Sequence, residues 1–305
     1  MTLSAVWKLY ALQVAAGIFD GITSFGLESN DTPAQVHADG SVDPTFAAMI
    51  SQSPIINFET VKVANALGIS ALDGYAVAAT ATSFWQKIPQ GGTRGGSSSH
   101  IKVTNDLGLV IPGAIQASAG GVASISYRYV TLSSDGEAHP LTIATDQSLT
   151  GSPTVDELYG LGPAKYGSNF IDGLIDATID PGINETVRTP DGHAFPVMAG
   201  IDLRRPSIAF TVSDVEAAYD TIGTEGAAIS SGTPFKIWLR HKVQGGINTP
   251  EGTSSHLLFT INEGRIRMAS AAGQAEGAGT AAIVVEPTYD GSNAVIVITD
   301  GAAIA

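Results

Sequence analysis

One stretch of this chain occurs twice, and the repetition limits the fold more than any other feature. Asp39-Gly40-Ser41-Val42-Asp43-Pro44 returns as Asp191-Gly192-His193-Ala194-Phe195-Pro196, 152 residues on (39 to 191). At the same offset Pro54-Ile55-Ile56-Asn57-Phe58 returns as Pro206-Ser207-Ile208-Ala209-Phe210, and Asp20-Gly21 as Asp172-Gly173. Gln90-Gly91-Gly92 returns as Gln244-Gly245-Gly246 and Ser98-Ser99-His100-Ile101 as Ser254-Ser255-His256-Leu257, at offsets of 154 and 156. Thr145-Asp146 matches Thr299-Asp300 near the two ends. A repeat this long is a unit with its own core rather than one turn of a solenoid. Glycine and proline persist while the residues between them drift, which marks positions held by backbone conformation.

The anchors divide the chain into an N-terminal arm (1–16), a first unit (17–146), a linker (147–166) and a second unit (167–305). The expectation is that both units share one fold. Deleting Met1 to Val14 is then expected to weaken assembly more than folding. A chain of 305 residues has room for two sizeable cores. Its 44% hydrophobic and 14% charged residues exclude disorder. The absence of cysteine excludes disulfides, zinc-thiolate sites and a cysteine nucleophile. A net charge of −14 argues against tight nucleic-acid binding, which rests on Lys and Arg at phosphates. Leu9 to Phe19 is interrupted by Gln13 and followed by Asp20, too short to span a bilayer and a poor signal peptide, so an opening strand is expected there.

Within each unit the pattern predicts mainly antiparallel β-structure with one flanking helix and one long hairpin. Strands are expected at Ile22 to Glu28, Phe46 to Ile50 and Ile55 to Phe58, with a break at Asn30 to Pro33. Ser213-Asp214-Val215-Glu216 reads as a capping box with Ser213 as N-cap, and Gly223 as the helix end. Val215, Ala218, Tyr219 and Ile222 share one face. In the first unit Thr60 is the expected cap, Val63, Ala66 and Leu67 the stripe, and Gly68 the end. The hairpin arms are expected at Tyr75 to Ile88 and Phe235 to Val243, with tips at Gly91 to Ser97 and Gly245 to Thr253 that neighbours would order. A helical turn is expected at Val155 to Tyr159 in the linker.

No motif carries chemistry. Gly91-Gly92-Thr93-Arg94-Gly95-Gly96 lacks the Lys-Ser/Thr ending of a phosphate loop and opens no helix. His100 and His256 recur between copies, but His37, His139, His193 and His241 are scattered without ligand spacing, so structural hydrogen bonds are expected of the repeated pair. Asp172, Asp176, Asp180 and Glu185 lack the calcium-loop pattern and read as a solvated acidic face. No catalytic, cofactor-binding or metal-binding residue is expected, and no enzyme.

A doubled, acidic, cysteine-free β unit with one helix and a glycine-rich hairpin resembles the tail tube proteins of long-tailed, non-contractile phages. The resemblance is carried by Asp39 to Phe46, Pro54 to Phe58 and the helix at Thr60 to Gly68, and it is a likeness of fold. It implies two tandem β-sandwich or barrel domains, each with a flanking helix, whose sheets join those of neighbours into a ring around a channel. It further implies three chains per pseudo-six-fold ring, stacking into a conduit for DNA within the virion, made in the host cytoplasm. The implied partners are the chain itself and the tape measure, tail terminator and distal tail proteins. DNA would pass without specific binding. Alternatives are another phage structural part, such as a capsid decoration or baseplate protein, or a secreted β-rich adhesin or carbohydrate-binding protein.

Overall fold

The computed structural model describes residues 6–14, 17–73, 75–77, 81–88, 100–105, 107–148, 155–223, 225–245, 248–274 and 277–305. Among the described residues the chain is mainly β, every strand pair is antiparallel, and two helices occur. β1 (Val6–Val14), β2 (Gly17–Phe19), β3 (Ile22–Glu28), β4 (Asp31–Val36), β5 (Phe46–Gln52) and β6 (Ile55–Thr60) precede α1 (Val63–Ile69). Then come β7 (Tyr75–Val77), β8 (Ala81–Ile88), β9 (His100–Asn105), β10 (Leu107–Ser118), β11 (Ser124–Leu132) and β12 (Leu141–Gln147). The second half opens with β13 (Leu158–Tyr166), β14 (Asn169–Ile171), β15 (Leu174–Asp180), β16 (Ile183–Arg188), β17 (Met198–Arg204) and β18 (Ser207–Val212). α2 (Val215–Ile222), β19 (Ala227–Ile229), β20 (Phe235–Lys242), β21 (His256–Ile261), β22 (Gly264–Gln274), β23 (Gly277–Pro287) and β24 (Val297–Ala302) complete it.

The two halves run through the same elements in the same order. β13 to β19 each begin 152 residues after β1 to β7 (6 to 158, 75 to 227). One five-stranded sheet runs β12-β9-β8-β1-β2, and another runs β24-β21-β20-β13-β14. The ten-stranded sheet contains β10-β11-β6-β3 with β7 on β10, and β19-β22-β23-β18-β15. Left-handed backbone recurs at the same spacing: Gly21 and Gly173 have φ 64° and 74°, Asn30 and Gly182 48° and 58°, Gly40 and Gly192 82° and 72°. Turn hydrogen bonds recur with them, as in Val61 N–H to the Gly21 carbonyl (3.1 Å) and Ser213 N–H to the Gly173 carbonyl (2.8 Å).

Alternation along the strands builds the core. On β6, β11 and β18 the buried Ile56, Phe58, Ile125, Tyr127, Ile208 and Phe210 face the small sheets and the helices. Phe58 stacks on Tyr127 at 5.2 Å, with Phe19 edge-on to both, while Phe210 stacks on Phe235 at 5.6 Å. The main cluster runs through both halves. A second one, Leu109, Ile111 and Val130 on the opposite face of the large sheet, is covered by Ile183, Val187, Ala199 and Ile201 of the β16–β17 hairpin.

Several sequence expectations are corrected. Val6–Val14 is not an arm: it lies between β8 and β2 with Ala11, Leu12 and Val14 buried. The stretch expected as a linker contains β13, which begins at Leu158 and rules out a helical turn through Tyr159; β13 lies between β14 and β20. The break at Asn30 to Pro33 is a turn into β4, since Pro33 pairs opposite Met49 at a register shift. Tyr75 to Ile88 is two strands in different sheets, β7 on β10 and β8 on β1 and β9. α2 is capped by Asp214, whose Oδ1 accepts from Ala217 N–H at 2.9 Å, whereas Ser213 Oγ donates to the Gly173 carbonyl at 3.1 Å. Tyr219 is exposed rather than part of the buried stripe, though Gly223 does close the helix. α1 has Lys62 at its N-cap position and ends at Ile69; Thr60 Oγ1 donates instead to the Asp20 carbonyl at 2.6 Å.

Matching turns also follow β11 and β23. Asp135 Oδ1 accepts from the Glu137 and Ala138 N–H groups, and Asp290 Oδ1 from those of Ser292 and Asn293. These bonds hold both carboxyls below the ordinary value of 3.8, and the Lys62 ammonium does the same for Asp156. A lowered folded pKa adds stability that is complete above the unfolded value and is lost as pH falls through the folded one. The thermal midpoint should therefore stay level down to about pH 5 and fall below about pH 4. Asp135→Asn and Asp290→Asn should flatten that acid limb in a pH series of melts; an unaltered limb in the double variant would remove this assignment.

Candidate functional site: an outward sheet face with open edges

Beyond the apolar patch under the β16–β17 hairpin, the face of the large sheet turned away from the core is polar along β15 and the strands beside it. Along β15, Asp176, Thr178 and Asp180 alternate with the buried Ala177 and Ile179. Gln116, Ser118 and Ser126 continue the same face on β10 and β11, with Asn57 and Glu59 on β6. Asn57 Nδ2 donates to Glu28 of β3 at 3.4 Å, and Thr211 Oγ1 donates to Asp176 at 3.1 Å. Its arginines are engaged: Arg128 pairs with Glu185, Arg267 with Glu286 at 3.0 Å, and Arg265 donates to the Glu225 carbonyl at 2.8 Å. A cleft of about 910 Å³ lies where the β16–β17 hairpin meets this face, lined by Asn57, Glu59, Arg128, Asp180, Glu185 and Arg205 among others. Its lining also includes Phe25, Ile111, Ile183 and Leu203, and it is open, lacking the enclosure typical of small-molecule pockets.

The residues singled out in the sequence do not converge. His100 and His256 open β9 and β21 and are buried. His256 Nδ1 accepts from His241 N–H at 3.1 Å, which fixes the tautomer so that Nε2–H donates to the Pro250 carbonyl at 3.1 Å. His100 Nδ1 lies 3.1 Å from the Gln147 carbonyl. His37, His139, His193 and His241 stay apart from any common centre, His241 bonding Thr249 at 2.8 Å and His139 packing edge-on to Phe195 at 5.2 Å. Asp176 and Asp180 are two pleats apart on β15, and Asp180 instead accepts Gly182 N–H at 2.8 Å. Asp172 is exposed in the preceding turn, and Glu185 is bound to Arg128. Among the described residues no three His, Asp or Glu side chains are grouped to hold a metal. The Gly91 to Ser97 tip lies outside the described residues. Described residues of the second tip bond to their own chain, Thr249 N–H to the His241 carbonyl at 2.9 Å and Glu251 to Arg240 at 3.3 Å.

Three surface features were not legible in the sequence. First, the two halves share one sheet: Ile115, Gln116, Ala117 and Ser118 of β10 pair with Ile179, Thr178, Ala177 and Asp176 of β15. Second, the positions equivalent to that junction are open, since among the described residues β3 pairs only with β6, and residues 267–274 of β22 pair only with β23. Third, the β4–β5 hairpin, counterpart of the one covering the small apolar cluster, carries Phe46 at 62% and Val42 at 92% exposure, with Val36, Met49 and Ile50 also exposed. That is an unusual density of exposed apolar side chains. Among the described residues no helix is long and apolar enough to cross a membrane. Compared with known protein families and with curated proteins, the chain matches neither a family nor an individual protein.

Proposed function

We propose that this chain is a self-assembling structural protein built as a tandem duplication, the tube subunit of a long-tailed, non-contractile phage tail. The observation that carries the reading is the junction of β10 with β15, where one half adds its sheet to the other edge to edge. A unit that joins its own duplicate this way, and whose equivalent edges are unpaired among the described residues, is suited to continue the sheet into further copies. The duplication is supported by the shared element order, the common offset of 152 and the recurrent left-handed positions.

A continued sheet that closes gives a ring with two kinds of junction, one within a chain and one between chains. Three chains supply six units. The outward face, with Glu28, Glu59, Asp176 and Asp180 and with Arg128 and Arg267 neutralised, suits the wall of a channel through which DNA passes: carboxylates repel phosphate instead of condensing on it. The net charge of −14 fits the same role. In the virion the chain would contact itself and the tape measure, terminator and distal tail proteins.

Negative-stain microscopy of purified protein, with mass measurement of the smallest closed particle, tests the reading. Rings or tubes of three chains per layer are expected. A monomer at all concentrations would remove the proposal, and six chains per layer would remove the pseudo-six-fold arrangement while keeping the tube.

A further inference from the structure

We infer that β3 of one copy pairs with residues 271–274 of β22 in a second copy of this chain, in the register that β15 keeps with β10. This rests on the self-assembly reading and fixes its contact residue by residue. The offset of 152 converts Asp176–Ile179 of β15 into Ser24–Leu27 of β3. On the other side, Ile125 of β11 lies opposite Thr60 and Ala281 of β23 opposite Val212, and Thr60 and Val212 are themselves 152 apart (60 to 212). Ile125 faces Ile115 and Ala281 faces Ala271, so Ala271 stands where Ile115 stands. The between-chain ladder is therefore Leu27 opposite Ala271, Gly26 opposite Ala272, Phe25 opposite Gly273 and Ser24 opposite Gln274.

Three independent features favour a second copy as the occupant. Neither segment carries the lysine or proline that native edges use to repel a partner, and Ala271, Ala272 and Gly273 are exposed and small, so a strand can approach closely. Phe25, edge-on to Trp85 at 5.1 Å, falls opposite a glycine, an arrangement in which the ring covers the bare backbone. The same displacement lays the exposed β4–β5 hairpin over the neighbour's β22–β23 face, as β16–β17 lies over β10 and β11. There Ile201 becomes the exposed Met49, while Leu109, Ile111 and Val130 become Arg265, Arg267 and Glu286. A hairpin that exposes this much apolar side chain in one chain gains cover in the assembly.

The chain has no cysteine, so introduced thiols report this register alone. Directly opposed strand residues bring their Cβ atoms to about 4.5–5.5 Å, close to disulfide reach, whereas a one-residue slip turns the side chains to opposite faces. Leu27→Cys mixed with Ala271→Cys should give a covalent dimer on non-reducing gels under mild oxidation, and the double variant should give closed multimers. Leu27→Cys mixed with Ala272→Cys should remain monomeric. Rings that form by microscopy while the matched pair fails to cross-link, or while the slipped pair cross-links equally, would overturn the register and leave the tube reading standing. A chain that is monomeric by mass and cross-links with neither partner would overturn both.

Discussion

Deleting Met1 to Val14 should abolish cooperative folding of the first half of the chain, not merely its assembly. β1 sits between β8 and β2, and its removal strips partners from both while exposing what Ala11, Leu12 and Val14 cover. Burying a Val or Leu side chain contributes about 1.5–3 kcal/mol each, and the loss of a central strand compounds this against a total stability of about 5–15 kcal/mol. Far-ultraviolet circular dichroism and a denaturant titration are the measurements: the deleted chain should lose β signal and either the whole transition or its first-half component. A native-like spectrum with an unchanged midpoint and only the rings missing would restore the view of this segment as an arm.

Replacing Lys62 with methionine should cost about 3–5 kcal/mol, the range for removing one member of a buried ion pair. Its ammonium lies 3.3 Å from Asp20 Oδ1 and 2.8 Å from Asp156 Oδ1, and the Lys62 and Asp20 side chains are 7% and 10% exposed. A lysine at a helix N-terminus opposes the helix dipole, so its place there reflects the carboxylates. The Asp20 carboxylate would lose its ammonium partner in the interior, whereas Asp156 is exposed and rehydrates. Lys62→Met combined with Asp20→Asn should recover most of the loss, because the two residues act as one unit. A drop below about 1 kcal/mol in the single variant would mean that water reaches Asp20, placing the pair among surface ion pairs. The interaction ties α1 and the turn after β2 to the segment before β13, a joint between the halves.

The sequence by itself determined where the backbone must turn. Gly21, Gly40, Gly173 and Gly192 occupy the left-handed region, which costs an L side chain energy, so those positions keep glycine and betray the spacing of 152. The bounds of β3 were legible because Asp20-Gly21 and Asn30-Asp31-Thr32-Pro33 punctuate the chain on either side of it. β1 and β13 escaped notice as counterparts because Val6–Val14 and Leu158–Tyr166 share no turn residue, and Gly160, Gly162 and Pro163 make the second read as a linker. The cap of α2 was misplaced by one residue because Ser213 and Asp214 are equally good acceptors, and only the nearby Gly173 carbonyl decides which side chain is spoken for. Tertiary structure alone decided that β10 pairs with β15, that β7 leaves its neighbour β8 for the other sheet, and that among the described residues β3 and the end of β22 each have one partner strand. Those choices rest on backbone N–H and C=O groups that nearly every residue supplies, so no residue type records which distant strand they meet.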